Sequence, residues 1–67
     1  MTRIIMEGQN SLHIDGYKGI VSFSDSTICI QSKNNKIEIV GKDLIIESFT
    51  GTWMKIVGVI ISINWIT

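Results

Sequence analysis

His13 and Cys29 are the two side chains of the sequence that most often act as a base or a nucleophile near neutral pH. His13 precedes Ile14 in an alternating stretch, which places the imidazole on the polar side of a strand, and no second histidine is present to share a metal ion or a proton. Cys29 stands between Ile28 and Ile30, where a thiol is typical of a small buried hydrophobe. No base or cluster of positive charge accompanies it. We therefore predict no catalytic site.

The carboxylates and glycines also lack the spacing of a site. Asp15, Asp25 and Asp43 fall at predicted turns, for which aspartate is typical. Each glycine stands alone between predicted strands instead of opening a helix, so no phosphate-binding loop is predicted. We expect no metal, no cofactor, no small-molecule substrate and no enzymatic activity.

Length and charge restrict the fold and the partners. A chain of 67 residues builds one small core with a thin margin of stability, and its single cysteine cannot form an intrachain disulfide. A partner subunit is the remaining means of stabilisation, which predicts a homo-oligomer. The net charge is zero and the basic residues are interleaved with acidic ones, so binding to nucleic acid is not expected. The lone cysteine and the lack of a secretory leader predict a cytoplasmic protein.

The residue pattern is that of an all-β domain. Isoleucine dominates, proline is absent, and alternation of apolar and polar residues recurs between Gly, Asn, Asp and Ser. The uncharged run 56–67 is far shorter than the roughly 20 residues of a membrane-spanning helix, and it indicates buried strands. The predicted strands lie near 2–7, 11–15, 19–24, 27–33, 36–41, 44–49, 52–57 and 59–66.

Turn residues predict the register, because a slip of one residue would send every side chain to the wrong face. Two-residue turns are predicted at Asn34–Asn35, Asp25–Ser26, Lys42–Asp43 and Gly58–Val59, and three-residue loops at 8–10 and 50–52. The turn at Lys42–Asp43 also sets two glutamates opposite each other, so a bulge is an alternative there. The resulting pairs are Ile30 with Ile39, Phe23 with Ile28, Val21 with Ile30, Ile46 with Ile56, Glu47 with Lys55, Ile39 with Ile46, Ile56 with Ile61, Met54 with Ile63, Met6 with Leu12 and Ile4 with Ile14.

The predicted architecture is a meander of short antiparallel strands that forms a curled sheet, a sandwich or a roll. The face opposite the core is polar in the middle hairpin and becomes apolar towards the end of the chain. A single sheet in water normally leaves one face wet, so this second apolar face must be covered by the sheet itself or by another chain. We predict that it is an interface, formed by Val40, Ile45, Phe49, Trp53, Val57 and Ile60.

From about Leu12 to Trp65 the chain resembles the YabP/YqfC family of bacterial sporulation proteins. Four segments carry the resemblance through their order and spacing: 12–20, 22–25, 37–44, and 56–58 followed by Ile63 and Trp65. The run Ile39-Val40-Gly41-Lys42-Asp43-Leu44 with Ile46 is its most characteristic part. The resemblance implies that residues 1–67 form a single YabP/YqfC-like all-β domain.

The resemblance implies a small protein that is made during endospore formation, works beside a membrane-protein partner and has no enzymatic activity. In the sporulating cell it would lie in the cytoplasm, peripheral to a membrane. A different class remains as the alternative: a small β-barrel that binds RNA or single-stranded DNA. Only Tyr17 with Lys18, and Trp53 with Lys55, set an aromatic ring beside a basic residue.

Overall fold

A computed structural model describes residues 2–66 of the chain. This range contains six strands and no helix. The strands form one antiparallel sheet in the order β1-β2-β6-β5-β4-β3. The all-β class and the antiparallel sheet are confirmed, while the order departs from a simple meander because β2 lies beside β6 and not beside β3. The strands are β1 (Arg3–Met6), β2 (Ser11–Asp15), β3 (Gly19–Phe23), β4 (Thr27–Gln31), β5 (Lys36–Phe49) and β6 (Trp53–Ile66).

The last two strands, β5 and β6, each join two of the predicted strands into one. The predicted turns at Lys42–Asp43 and Gly58–Val59 are wrong, because β5 and β6 run through both positions and pair with each other along their length, whereas the bulge given as the alternative at Lys42–Asp43 is present. The register shifts between Val40 and Gly41 and again between Lys42 and Ile45. The polar and glycine residues that resemble turns thus form bulges, which bend a strand without ending it. Ile39 consequently pairs with Ile63 and Ile46 with Ile56, in place of the predicted Ile39–Ile46, Ile56–Ile61 and Met54–Ile63 pairs.

The bent ribbon of β5 and β6 divides the sheet into two halves. In the first half, β1 and β2 extend the beginning of β6, which pairs with the end of β5. In the second half, β3 and β4 extend the beginning of β5, which pairs with the end of β6. Side chains of both halves are fully buried in one cluster, so the sheet folds over and its two inner surfaces face each other.

The core lies between these inner surfaces and consists almost entirely of aliphatic side chains. Leu12 and Ile14 of the first half and Ile28 and Ile30 of the second are completely shielded from solvent. Burial of each such side chain contributes roughly 1.5–3 kcal/mol, which makes this cluster the main stabilising element of a chain without a disulfide. The remaining buried members are Tyr17, Ile37, Ile39, Leu44, Met54 and Ile56.

The short hairpins confirm most of the predicted pairs. Ile4 pairs with Ile14, Met6 with Leu12 and Phe23 with Ile28, and Ile46 lies opposite Ile56 across the longer hairpin. The loop at 50–52 also has the predicted length.

Two register predictions in the second half are wrong. Ile30 pairs with Ile37 and not with Ile39, because the loop between β4 and β5 holds four residues, 32–35, in place of two. A shift of two residues leaves every side chain on its predicted face. In β3 the register shifts between Ile20 and Ser22, so Ile20 faces Ile30 where Val21 was predicted.

Candidate functional site

His13 lies on the outer surface of the first half and packs against an aromatic ring. It pairs with Ile5 on one side and with Lys55 on the other, and its imidazole stacks on Trp53 with ring centroids 5.4 Å apart. Such an aromatic pair contributes about 0.5–1.5 kcal/mol beyond the area that it buries. The imidazole therefore helps to order the outer surface around Trp53.

Cys29 lies on the outer surface of the second half, between Ser22 on β3 and Glu38 on β5. Cys29 is partly exposed, whereas a buried thiol was predicted. Because the two halves pack through their inner surfaces, the outer surfaces that carry Cys29 and His13 point in opposite directions. The structure thus separates the two residue types that could form a nucleophile and base pair.

Three residues of the predicted interface share the outer surface of the first half. Ile45 pairs with Val57, and Trp53 follows on the same side of β6 with Lys55 between them. Ile45 is 59% exposed, whereas Val57 and Trp53 are partly buried. The Nζ atom of Lys55 lies 3.7 Å from the Oε1 atom of Glu47, as the predicted ion pair requires, although a bulge makes Ser48 its backbone partner. We call Ile45, Trp53 and Val57 the outer patch.

The other three residues of the predicted interface lie elsewhere, because the bulges change which side of the sheet they occupy. Val40 is on the outer surface of the second half, opposite Ser62. Phe49 pairs with buried Met54, so it belongs to the inner side of the first half, and Ile60 packs against the core. The expectation that all six residues share one face is therefore not met, and the predicted interface itself stays a prediction.

Large apolar side chains are exposed where the inner rows of the two halves reach the edges of the sheet. Phe23 on β3 is 64% exposed, Phe49 on β5 is 63% exposed and Trp65 on β6 is 55% exposed. Each pairs with a fully buried residue of the neighbouring strand. Sequence reasoning missed these edges because alternation identifies the core side of a strand but not whether a neighbouring strand covers it.

Both aromatic rings that suggested nucleic-acid binding make contacts within the chain. Tyr17 is buried and its hydroxyl donates a hydrogen bond to the Thr50 carbonyl. Trp53 stacks on His13, and Lys55 pairs with Glu47. A base of a single-stranded nucleic acid therefore cannot stack on the buried Tyr17 ring, and His13 occupies one face of Trp53.

Comparison with known proteins identifies the family. The family model described as "YabP family" matches the chain over residues 1–67. The chain belongs to the YabP family. No curated protein and no solved structure matches it. The resemblance stated from the sequence motifs is thereby confirmed, and YabP-family membership indicates a sporulation-related protein.

In this YabP-family chain two open depressions lie side by side at the start of β1. One has a volume of about 430 Å³ and is lined by Thr2, Trp65 and the 32–35 loop. The other, of about 400 Å³, lies between Lys18, Lys33 and the 50–52 loop. Since Thr2 lines the same depression as Trp65, the start of β1 lies near the end of β6. Within residues 2–66, no helix is long and apolar enough to cross a membrane.

Proposed function

We infer that this chain is a non-enzymatic sporulation protein of the cytoplasm that acts by binding other proteins, including further copies of itself and a membrane-protein partner. Family membership supports the sporulation role. The observation that carries the binding role is the outer patch, where Ile45, 59% exposed, lies beside Val57 and Trp53 on one surface of so small a domain. Exposed apolar surface of this kind marks protein interaction sites. A membrane-protein partner would hold the chain at the membrane surface.

The placement of His13 and Cys29 supports a role without catalysis. They lie on opposite outer surfaces, and His13 is engaged with Trp53, so these two residues do not together form the nucleophile and base pair of covalent catalysis. Replacing both residues should therefore leave the function unchanged. The variant His13→Phe with Cys29→Ser keeps a ring to stack on Trp53 but can neither shuttle a proton there nor present a thiol.

The sporulation role is tested by deleting the gene in the source bacterium and counting heat-resistant spores. We expect a lower spore yield with unchanged vegetative growth. Complementation with the His13→Phe/Cys29→Ser variant should restore the yield to the wild-type level. A deletion strain with a normal yield would contradict the sporulation role, and failure of a folded double variant to complement would contradict the non-enzymatic one.

The binding role is tested on the outer patch with a matched pair of variants. Ile45→Glu places a charge among Trp53 and Val57, whereas Ser22→Glu places the same charge at an exposed position on the outer surface of the second half. Both positions are accessible to solvent, so both variants should fold with unchanged circular dichroism. We expect Ile45→Glu to lower the spore yield and Ser22→Glu to leave it unchanged. Equal yields in both strains would remove the outer patch from the proposal.

A further inference from the structure

The second half of β6 has an unpaired side. On one side, residues 62–66 pair with β5 down to the Lys36–Ile66 pair. On the other side, pairing with β2 ends at Val57, and the last backbone hydrogen bonds run from Gly58 to Asn10 and from Ile60 to Gln9. Within residues 2–66, no strand is hydrogen-bonded to this side of β6 beyond that point. We call residues 61–66 the free edge.

The other edges of the sheet carry features that block pairing with another strand. The first strand, β1, has only four residues and includes the charged Arg3. The edge strand β3 is interrupted by a bulge between Ile20 and Ser22. The end of β5 carries Glu47 at a bulge between Ile46 and Ser48. Short length, charge and bulges are the devices by which proteins keep edges from associating.

The free edge carries no charge, and its only irregularity is the bulge at its first residue, Ile61. Its sequence is Ile-Ser-Ile-Asn-Trp-Ile, with no charge and no proline, and the pairs from Ser62 to Ile66 follow each other without a register shift. Ile61, Trp65 and Ile66 are 67%, 55% and 40% exposed. Alternate residues of such a strand direct their backbone N–H and C=O groups away from the sheet, where another strand can pair with them in register.

We propose that two copies of this chain pair through the free edge, strand against antiparallel strand, to form one continuous sheet. A two-fold axis opposite Asn64, whose Nδ2 donates to Glu38 Oε1 and Ser62 Oγ within its own chain, places the Asn64 side chains of the two copies together on the outer surface. It also sets Ile63 of one copy against Trp65 of the other on the inner side, a favourable aromatic and β-branched pair. The identification of a second copy as the occupant follows from this self-complementarity.

The absence of charge on the free edge favours a second copy over an unrelated strand. In a two-fold pairing every side chain faces a residue of the same strand, so any charged residue near the axis would meet its own sign. From Ile56 to Ile66 the chain has no charged residue at all. This pairing deepens the proposed function, since it rests on the chain acting by assembly and names the surface that makes the homo-oligomer.

The test and its control are substitutions at the two ends of one row of neighbouring residues that crosses the strands of the second half. On the outer surface of the second half the row runs from Ser22 through Cys29 and Glu38 to Asn64. Asn64→Glu puts a carboxylate at the proposed axis, beside Glu38, and a second one opposite it in the dimer. Ser22→Glu adds the same charge at the other end of the row, on the bulged edge. Both residues are exposed, so both variants should fold.

We expect light scattering across the micromolar range to give twice the chain mass for the wild type and for Ser22→Glu. Asn64→Glu should raise the dissociation constant by more than about tenfold, because like charges across an interface cost several kcal/mol. Mixing Asn64→Glu with Asn64→Lys should restore the dimer as a mixed pair. A monomeric wild type, a folded Asn64→Glu dimer or a mixture that stays monomeric would each overturn the proposal.

A second measurement covers the case in which the Asn64 variants fail to fold. In the wild type, amide hydrogen exchange of residues 61–66 should slow as the protein concentration rises, while exchange on β3 stays unchanged. Exchange that is independent of concentration on the free edge contradicts the pairing. The mass and exchange measurements do not depend on spores. If the dimer forms but the spore yield after gene deletion is normal, the proposed function is contradicted and the pairing is not.

Discussion

Gly58 lies against the backbone of Asp43 where β5 and β6 bend together. Both residues have a positive φ, 133° at Gly58 and 54° at Asp43, and a Cβ atom on Gly58 would come within 2.6 Å of the Asp43 carbonyl oxygen. Only glycine adopts this conformation and leaves this space. The bend that folds the sheet over its core therefore depends on glycine at position 58, and Gly41 lies just as tightly against the Val59 backbone.

Gly58→Ala should destabilise the fold by about 1–3 kcal/mol, since the added methyl group meets backbone that cannot move aside easily. Gly51→Ala is the matched control, because a Cβ atom at Gly51 meets nothing within 4 Å and the cost should stay within about 0.5 kcal/mol. Urea unfolding followed by circular dichroism measures both. Equal midpoints for the two variants would show that the bend does not need Gly58.

Tyr17→Phe should destabilise the fold by about 0.5–1.5 kcal/mol. Tyr17 follows β2, and its buried hydroxyl donates to the Thr50 carbonyl in the loop between β5 and β6. Removing the hydroxyl leaves that acceptor without its donor but preserves the ring in the core. Phe23→Leu, at a largely exposed edge position, is the control and should change the urea midpoint less. A Tyr17→Phe midpoint equal to that of the wild type would mean that water replaces the hydrogen bond without loss.

Ile14→Ala should cost about 2–5 kcal/mol, because Ile14 is fully shielded in the cluster that joins the two halves. That cost approaches the whole stability of a domain of this size, about 5 kcal/mol, so a large unfolded population is expected. Ile20→Ala removes the same atoms from a residue that is 40% exposed on β3 and should cost less. Thermal unfolding of the two variants compares them, and a smaller loss at Ile14 than at Ile20 would contradict the folded-over sheet.

The ion pair between Lys55 and Glu47 should contribute little to stability. Its two charged atoms lie 3.7 Å apart, and both side chains are at least one third exposed, so water screens the attraction. A double-mutant cycle with Lys55→Met and Glu47→Gln should give a coupling energy of about 0.2–1 kcal/mol, decreasing as salt is added. A coupling energy several times larger, or one that salt does not change, would contradict this assignment.

The local pattern of the sequence determined which residues form strands and which side of most strands enters the core. Ile28, Ile30, Ile37 and Ile39 all lie on the predicted face, even though the Ile30 partner is displaced by two residues. Side-chain alternation has a period of two, so an even shift of register preserves it. The family resemblance was likewise readable from the order of short motifs along the chain.

Only the tertiary structure decided what Lys42–Asp43 and Gly58–Val59 do. Their residue types suit a turn as well as a bulge, and the difference depends on whether the chain reverses or continues, which is settled by the partner strand that lies beside it. Because β5 and β6 continue, the end of β6 becomes an edge, and the bulges along them place Phe49 and Ile60 on the core side of the sheet and not on the outer patch. Edges are a property of the whole sheet, since a strand is exposed only when no other strand reaches it, and that depends on contacts distant in sequence.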